Sequence, residues 1–399
     1  NIRRGMSTEA PGLYLHLPFC SAICPYCDFS VLTGDREKRR SFVEDLLAEL
    51  DLVEETWPAF ETIYLGGGTP SLMEVEDLAR VLDGVKNRFA VQEGAGLFFE
   101  ANPEDVTTET LSGWRDLGAA TLSLGVQSFD EGQLRFLGRR HDPQTARSAV
   151  SMALAAGLDT VSLDLIFGLP GQSRSRWQAD LEAAVELQPH HVSCYQLTVH
   201  ERTVFGARSR QGGLEEMGNE RQAELFYLTH ELLRAAGYEA YEVSNFASAP
   251  VHRSRHNLKH WRHAPYLGLG PSAHSYDGDG RRWWNERSLA GWQQKTRAGK
   301  RPIAAEENLS PTELLLETLM LGLRMREGVD LEEIRLRFGV DLEKTNRELL
   351  ETLEADGLVL REGARLLPTL GGLAVADGLA ADFDLSESAS RAVTIPIHE

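Results

Sequence analysis

The chain has 399 residues, 42% apolar and 25% charged, enough to bury a core of barrel size with one or two smaller domains beside it. Sixty acidic residues against 41 Lys and Arg leave a net charge of −19, which argues against a nucleic-acid binder or a strongly bound anionic membrane surface. No apolar run approaches the ~20 residues needed to span a bilayer, so any membrane association is expected to be peripheral only. The opening "NIRRGMSTEAPG" has no hydrophobic stretch for a signal peptide. It reads as an N-terminal tail over 1–11, with 1–5 vector-derived ahead of Met6.

From residue 12 to 200 short apolar runs alternate with longer helical patterns. The strand candidates are "LYLHLP", "TIYLGGGTP", "LFFEANPE", "TLSLGVQS", "TVSLDLIFGLP" and "HVSCYQLTV". Between the first two, Phe42, Leu46, Leu50 and Val53 recur at helical spacing. "LSGWRDLGA" and "QTARSAVSMALAAGL" sit between later strands, each with a glycine stop. Strand–helix units in series predict a parallel sheet with right-handed crossovers. Polar and glycine residues follow nearly every strand, namely Cys20, Gly66 to Thr69, Glu100, Gln127, Asp164 and Gln196. A doubly wound sheet concentrates its site at one switch point, whereas a barrel builds it from all the strand ends. The expectation is α/β, a partial (β/α)6 TIM-type barrel over 12–200.

From about residue 201 the alternation stops. "YEAYEVSNFA" and "HRSRHNLKHWRHAPYLGLGPSAHS" read as irregular structure closing the open side, over 201–305. "RRWWNER" offers Arg281, Arg282 and Trp284 to a flat acidic ligand, or is an ordinary strand and turn. Helical patterns return from Ser310, followed by a hairpin at "GLVLREGARLLPT". They predict a small, mostly helical, winged-helix-like C-terminal domain over 306–376, with a tail over 377–399.

Cys20, Cys24 and Cys27 are three of the four cysteines, on the loop after the first strand. In a chain that reads as cytoplasmic they point to a metal site rather than disulfides. Three thiolates can hold a four-iron cluster with one iron open, and an open coordination position marks a reactive site. Zinc with His16 as a fourth ligand is the alternative. Cys194 reads as a buried core cysteine.

"CSAICPYC" resembles the CxxxCxxC signature of the radical S-adenosylmethionine (SAM) superfamily, and "GGGTP" after the second strand is a run that superfamily carries. The resemblance implies a 4Fe–4S cluster whose open iron chelates SAM, and a low-potential electron donor. "YLHLPFC", "LGGGTPS", "GVQSFD", "LGRRH" and "DLIFGLPGQ" are similar to the coproporphyrinogen III oxidase-like subgroup. It would place Tyr14 and Tyr26 against the cluster, Gly67, Gly68 and Thr69 at the methionine end of SAM, and Glu100, Gln127, Arg139 and Asp164 around the rest. The chemistry agrees, since carboxylates can accept from an amino group or ribose and a guanidinium can hold a carboxylate.

The oxidases of that subgroup resemble CxxxCxxCxC, and Phe29 stands where they carry the extra cysteine. "YEVSNFA", "SRHN" and "YLGLGPSAHS" are similar to HemW-type haem chaperones. That resemblance implies binding of haem and its delivery to respiratory apoproteins, with His256 as haem ligand. His260 stands where the family motif has tyrosine. Residues at i and i+4 share a helix face, so His256 and His260 cannot ligate opposite faces of one haem. The pair could chelate zinc, or belong with His252 and His263 to a hydrogen-bonded polar surface. The alternative functions are coproporphyrinogen III decarboxylation or radical SAM methylation.

Overall fold

The structure is a computed structural model and describes residues 9–386; the outer parts of both expected tails, 1–8 and 387–399, lie outside the described residues, and with them the vector-derived reading of 1–5. Six strands form the barrel wall: β1 (Gly12–Leu17), β2 (Phe60–Gly67), β3 (Val91–Ala101), β4 (Ala119–Gln127), β5 (Thr160–Phe167) and β6 (His191–Gln196). They lie side by side in chain order, every pair parallel. The crossovers are α1 (Arg36–Asp51), α2 (Val75–Arg88), α3 (Thr108–Asp116), α4 (Pro143–Ala155) and α5 (Arg174–Glu186).

Local chemistry sets these boundaries. Asp35 caps α1 by accepting from the Lys38 amide, and α1 buries Phe42, Val43, Leu46 and Leu50. Asp142 caps α4, with Pro143 in its first turn, where the missing N–H costs nothing. The strands are nearly continuous apolar runs, as expected of strands covered on both faces. The exceptions matter: on β4, Ser123, Gly125 and Gln127 are half-buried between fully buried leucines and Val126. They face the inside of the barrel.

The stretch after residue 201 is more ordered than its composition suggests. After α6 (Asn219–Ala235), β7 (Glu239–Ala240) and β8 (Asn245–Ala247) pair antiparallel along β6. On the other edge β9 (Tyr266–Leu269) runs parallel to β1, and β10 (His274–Tyr276), β11 (Arg281–Asn285) and β12 (Ile303–Asn308) follow antiparallel. The twelve strands run β12-β11-β10-β9-β1-β2-β3-β4-β5-β6-β8-β7, so the sheet curves but does not close by hydrogen bonding. These added strands are two to six residues long and rich in Gly, His and Arg, which hides the period-two pattern. Between them α7 (Arg255–Trp261) lies across the N-terminal ends of β1 and β2. Lys259 donates to the Ala10 carbonyl at 2.7 Å and pairs with Glu61.

A second compact unit holds residues 309–386 together with Trp261–His263. It comprises α8 (Pro311–Gly322), β13 (Val329–Asp330), α9 (Leu331–Phe338), α10 (Arg347–Ala355), β14 (Val359–Glu362) and β15 (Arg365–Pro368). The sheet order is β13-β15-β14. Leu315, Leu319, Ile334, Leu350, Val359 and Leu366 form its core. Among the described residues no helix is long and apolar enough to cross a membrane.

Candidate functional site: a cysteine-lined barrel cavity

A cavity of about 640 Å³ extends inside the barrel from the cysteine loop to the residues flanking and within α7. Cys20, Cys24 and Cys27 line one end; His252, Ser254 and Asn257 line the other. All three cysteines are free and half-buried. Thr69 Oγ1 donates to Cys20 Sγ at 3.5 Å, and Arg139 Nη1 to Cys24 Sγ at 3.6 Å. Burial pushes the Cys20 thiol up, and the Cys27 thiol up to about 11. Metal binding at these positions would therefore release protons.

The donor geometry bears on which metal fits. Among the described residues no three His, Cys, Asp or Glu side chains converge to hold a single ion. A tetrahedral zinc needs such convergence, whereas the cysteines of a cubane each ligate a different iron. His16 is also occupied. Its Nε2 lies 2.9 Å from the Ser30 carbonyl and must donate there. Its Nδ1 then accepts from Tyr14 Oη at 3.0 Å. The zinc alternative with His16 as ligand is corrected on that ground. Cys194 is 2% exposed in the core and does not line the cavity.

Opposite the cysteines two carboxyl groups face the lumen. Tyr64 Oη donates to Glu100 Oε1 at 2.7 Å, and the Gly67 amide to Glu100 Oε2 at 3.2 Å. Burial, with a contribution from Asp164, still raises Glu100 to about 7. Asp164 accepts from Ser123 Oγ at 3.0 Å and is raised by burial to about 6. Two such acids without a lysine partner form a site for a cationic ligand group.

Arg139 is buried among acceptors. Nη2 donates to Asn102 Oδ1 at 2.5 Å and to the Gly125 carbonyl at 2.8 Å, while its Nε has no partner. Gln127 ends β4 with φ of 67°, a left-handed conformation that costs a non-glycine residue on the order of 1 kcal/mol. The register with β5 shifts between Leu124 and Gln127, which re-aims the side chain.

The glycine run is explained by close packing. Gly67 has φ of 104°, and a Cβ there would lie 2.4 Å from His16 Nδ1. A Cβ on Gly68 would meet the Phe19 carbonyl oxygen at 2.6 Å. The amides of Gly68 and Thr69 donate to Leu17 and Phe19 carbonyls, fastening the end of β2 to the cysteine loop.

The cavity thus brings together Cys20, Cys24, Cys27, Tyr26, Gly67, Gly68, Thr69, Glu100, Gln127, Arg139 and Asp164. Two expected residues are elsewhere. Tyr14 lines a smaller neighbouring cavity and spends its hydroxyl on His16. His256 is 2% exposed and lines neither cavity. Its Nδ1 is bonded to Thr62 Oγ1 at 2.9 Å, and its ring is packed against Tyr64 at 4.8 Å. Its Nε2 is buried and has no hydrogen-bond partner, so one ring nitrogen remains available to a ligand. The sequence reading missed Asn102, Tyr64 and Ser123. Asn102 and Ser123 were findable by the period of two, as inward neighbours of Glu100 and of Gly125.

Comparison with known proteins agrees with this picture. The family model of the radical SAM superfamily matches residues 14–184, and that of the HemN C-terminal domain matches 309–375. The coproporphyrinogen III oxidase HemN of Escherichia coli superposes with a TM-score of 0.80, covering 94% of this chain and 90% of its own, at 21% identity. The fold is that of a radical SAM protein. The Heme chaperone HemW of Mycobacterium tuberculosis is 37% identical over 374 residues, 92% of this chain and 93% of that protein. The Heme chaperone HemW of Escherichia coli is 40% identical over 266 residues, 66% of this chain and 69% of that protein. The chain belongs to the HemW family.

Proposed function

We propose that the barrel cavity holds a 4Fe–4S cluster on Cys20, Cys24 and Cys27 with SAM beside it, and that the protein carries haem to respiratory apoproteins. The observation that carries this is the donor set. Three cysteines edge the cavity, Cys194 is buried and does not line it, and the carboxyls of Glu100 and Asp164 face a position suited to an amino or sulfonium cation. The cluster, when bound and reduced, supplies the electron for SAM cleavage. This chain's residues do the rest. Glu100 and Asp164 accept from cationic and hydroxyl groups of SAM. Arg139 and Gln127 orient its polar end, and Tyr26 covers the cluster loop. The haem reading rests on the HemW relatives. Phe29 at the oxidases' extra cysteine speaks against decarboxylation of coproporphyrinogen; it is 70% exposed and offers no thiolate.

Anaerobic reconstitution with iron and sulfide tests this. Four irons per chain, SAM-dependent perturbation of the cluster spectrum, haem binding and unchanged coproporphyrinogen are expected. Turnover of coproporphyrinogen would move the assignment to the oxidase, and failure to bind haem would end the chaperone reading.

A further inference from the structure

Arg139 and His141 stand on the same segment, two residues apart, and each bridges the end of β4 to the loop after β3. The register between β4 and β5 shifts between Leu124 and Gln127, which takes Gly125 and Val126 out of step with that neighbour. Side chains take up their carbonyls instead. Arg139 Nη2 donates to the Gly125 carbonyl at 2.8 Å. His141 Nε2 lies 3.0 Å from the Val126 carbonyl and must donate there, since a carbonyl only accepts. On the other side Arg139 Nη2 donates to Asn102 Oδ1 at 2.5 Å, and His141 Nδ1 lies 3.3 Å from Glu104 Oε2. The result is a ladder of two rungs, and only the first, through Arg139, belongs to the site described so far.

Three observations bear on the second rung. First, neither His141 nor Glu104 lines the cavity, and the His141 side chain is fully buried, so whatever it does for a ligand it does through other residues. Second, the carbonyl it holds belongs to the residue before Gln127, which lines the cavity with a φ of 67°. A left-handed glutamine persists only where its surroundings over-determine it. The Val126 carbonyl accepts from His141 and also from the Ser128 amide at 2.9 Å, so it is fixed from both sides of the turn. Third, the far end of the rung is anchored. Asn102 Nδ2 donates to Thr69 Oγ1 at 3.3 Å, and Ser71 Oγ donates to Asp105 at 2.7 Å, which ties the loop bearing Glu104 to the end of the glycine run. Burial pushes the Glu104 carboxyl up, but the bond with His141, its own backbone and the Arg139 charge outweigh it and hold it below the usual range, as an acceptor for the ring.

We propose that His141 is a positioning residue for SAM: by bridging the Val126 carbonyl and Glu104 it holds the bulge that turns the Gln127 side chain into the cavity. The inference rests on the reading of the cavity as a SAM site and extends it to a residue that touches no ligand. It also gives the histidine of "LGRRH" a task distinct from that of Arg139 in the same motif.

The test is calorimetric titration of the reconstituted full-length protein with SAM, together with iron analysis and the electron paramagnetic resonance of the reduced cluster with and without SAM. His141→Leu keeps the volume and removes both ring nitrogens. It should keep four irons per chain, weaken SAM binding about tenfold and shrink the SAM-induced spectral change. His141→Gln, whose amide can still donate to the Val126 carbonyl, should recover most of both. Gln127→Gly removes the side chain and adopts the left-handed φ freely. If His141 acts through Gln127, the His141→Leu, Gln127→Gly double variant should bind SAM as weakly as Gln127→Gly alone. Should His141→Leu not fold, Glu104→Ala removes the rung from its outer end and should weaken SAM several-fold with iron retained. Wild-type SAM affinity and spectra in the folded variant, parallel loss of iron and SAM, or additive losses in the double variant would each overturn the positioning role while leaving the SAM site standing. Reconstituted wild-type protein that binds no SAM would overturn the reading of the cavity itself.

Discussion

Tyr64 Oη lies 2.7 Å from Glu100 Oε1, and both groups are buried on the wall of the cysteine-lined cavity. The phenol donates here and so favours the ionised carboxylate, yet burial and the neighbouring Asp164 outweigh it and Glu100 is raised to about 7. Glu100 is therefore a carboxyl poised between its two forms at neutral pH, and a cationic ligand would tip it to the ionised form.

Glu100 has a higher pKa folded than unfolded, so its contribution to stability is fully present below about pH 4.3 and is lost as pH rises through about 7. Glu49, also raised to about 7, and Asp164 add to the same slope in the wild type. The difference between wild type and Glu100→Gln isolates the one group. Ligand-free wild type should lose on the order of 2 kcal/mol relative to Glu100→Gln between pH 5 and pH 8. Urea unfolding at both pH values measures it; parallel pH profiles would show that Glu100 does not titrate in this range. SAM affinity of the cluster-loaded protein should rise over the same range in the wild type and stay flat in the variant.

Alanine at Cys20, Cys24 or Cys27 should reduce bound iron well below four per chain after reconstitution. Cys194→Ala should keep the full complement, because Cys194 is 2% exposed in the core and borders neither cavity. Iron and acid-labile sulfide analysis decides this, and loss of the cluster in Cys194→Ala alone would reassign the fourth cysteine.

Arg139 serves Cys24, Asn102 and the Gly125 carbonyl at once, through a fork that lysine cannot copy. Arg139→Lys should retain iron but weaken SAM binding about tenfold or more, as loss of a charge-assisted pair of bonds costs roughly 1.5–3 kcal/mol. Calorimetric titration of the reconstituted protein checks the split. Equal losses of iron and SAM would make Arg139 a support of the cysteine loop instead.

How much of this was readable beforehand depended on how each residue announces itself. Glu100 and Asp164 stood out because acids inside apolar strands are rare, and the six parallel strands were legible from their apolar runs. Tyr64 carried no such mark, since an aromatic residue in a strand reads as core. The flanking strands β7 to β12 were hidden by glycine and histidine in elements of two to six residues. His256 shows a different limit: a motif match names a residue but not its surroundings. On the short α7, His256 meets Thr62, whereas His260, one turn later, lines the smaller cavity beside Tyr14. Only the placement of the helix against β2 separates them.

The glycine run is where packing and site chemistry can be told apart. Gly67 is constrained twice, by a φ of 104° and by His16, whose Nδ1 would lie 2.4 Å from a Cβ. His16 cannot easily move, because Ser30 and Tyr14 hold its two nitrogens. Backbone strain alone costs an L-residue on the order of 1 kcal/mol, and overpacking adds ~1–3 kcal/mol. Gly67→Ala should therefore destabilise the protein by roughly 2–4 kcal/mol. His16→Ala makes room for the new methyl but leaves φ unchanged. In a double-mutant cycle by denaturant unfolding, the pair should be less destabilised than the sum of the single variants by about 1–3 kcal/mol, the overpacking part. Strict additivity would mean that φ alone demands glycine at 67, and that His16 yields to the methyl without cost.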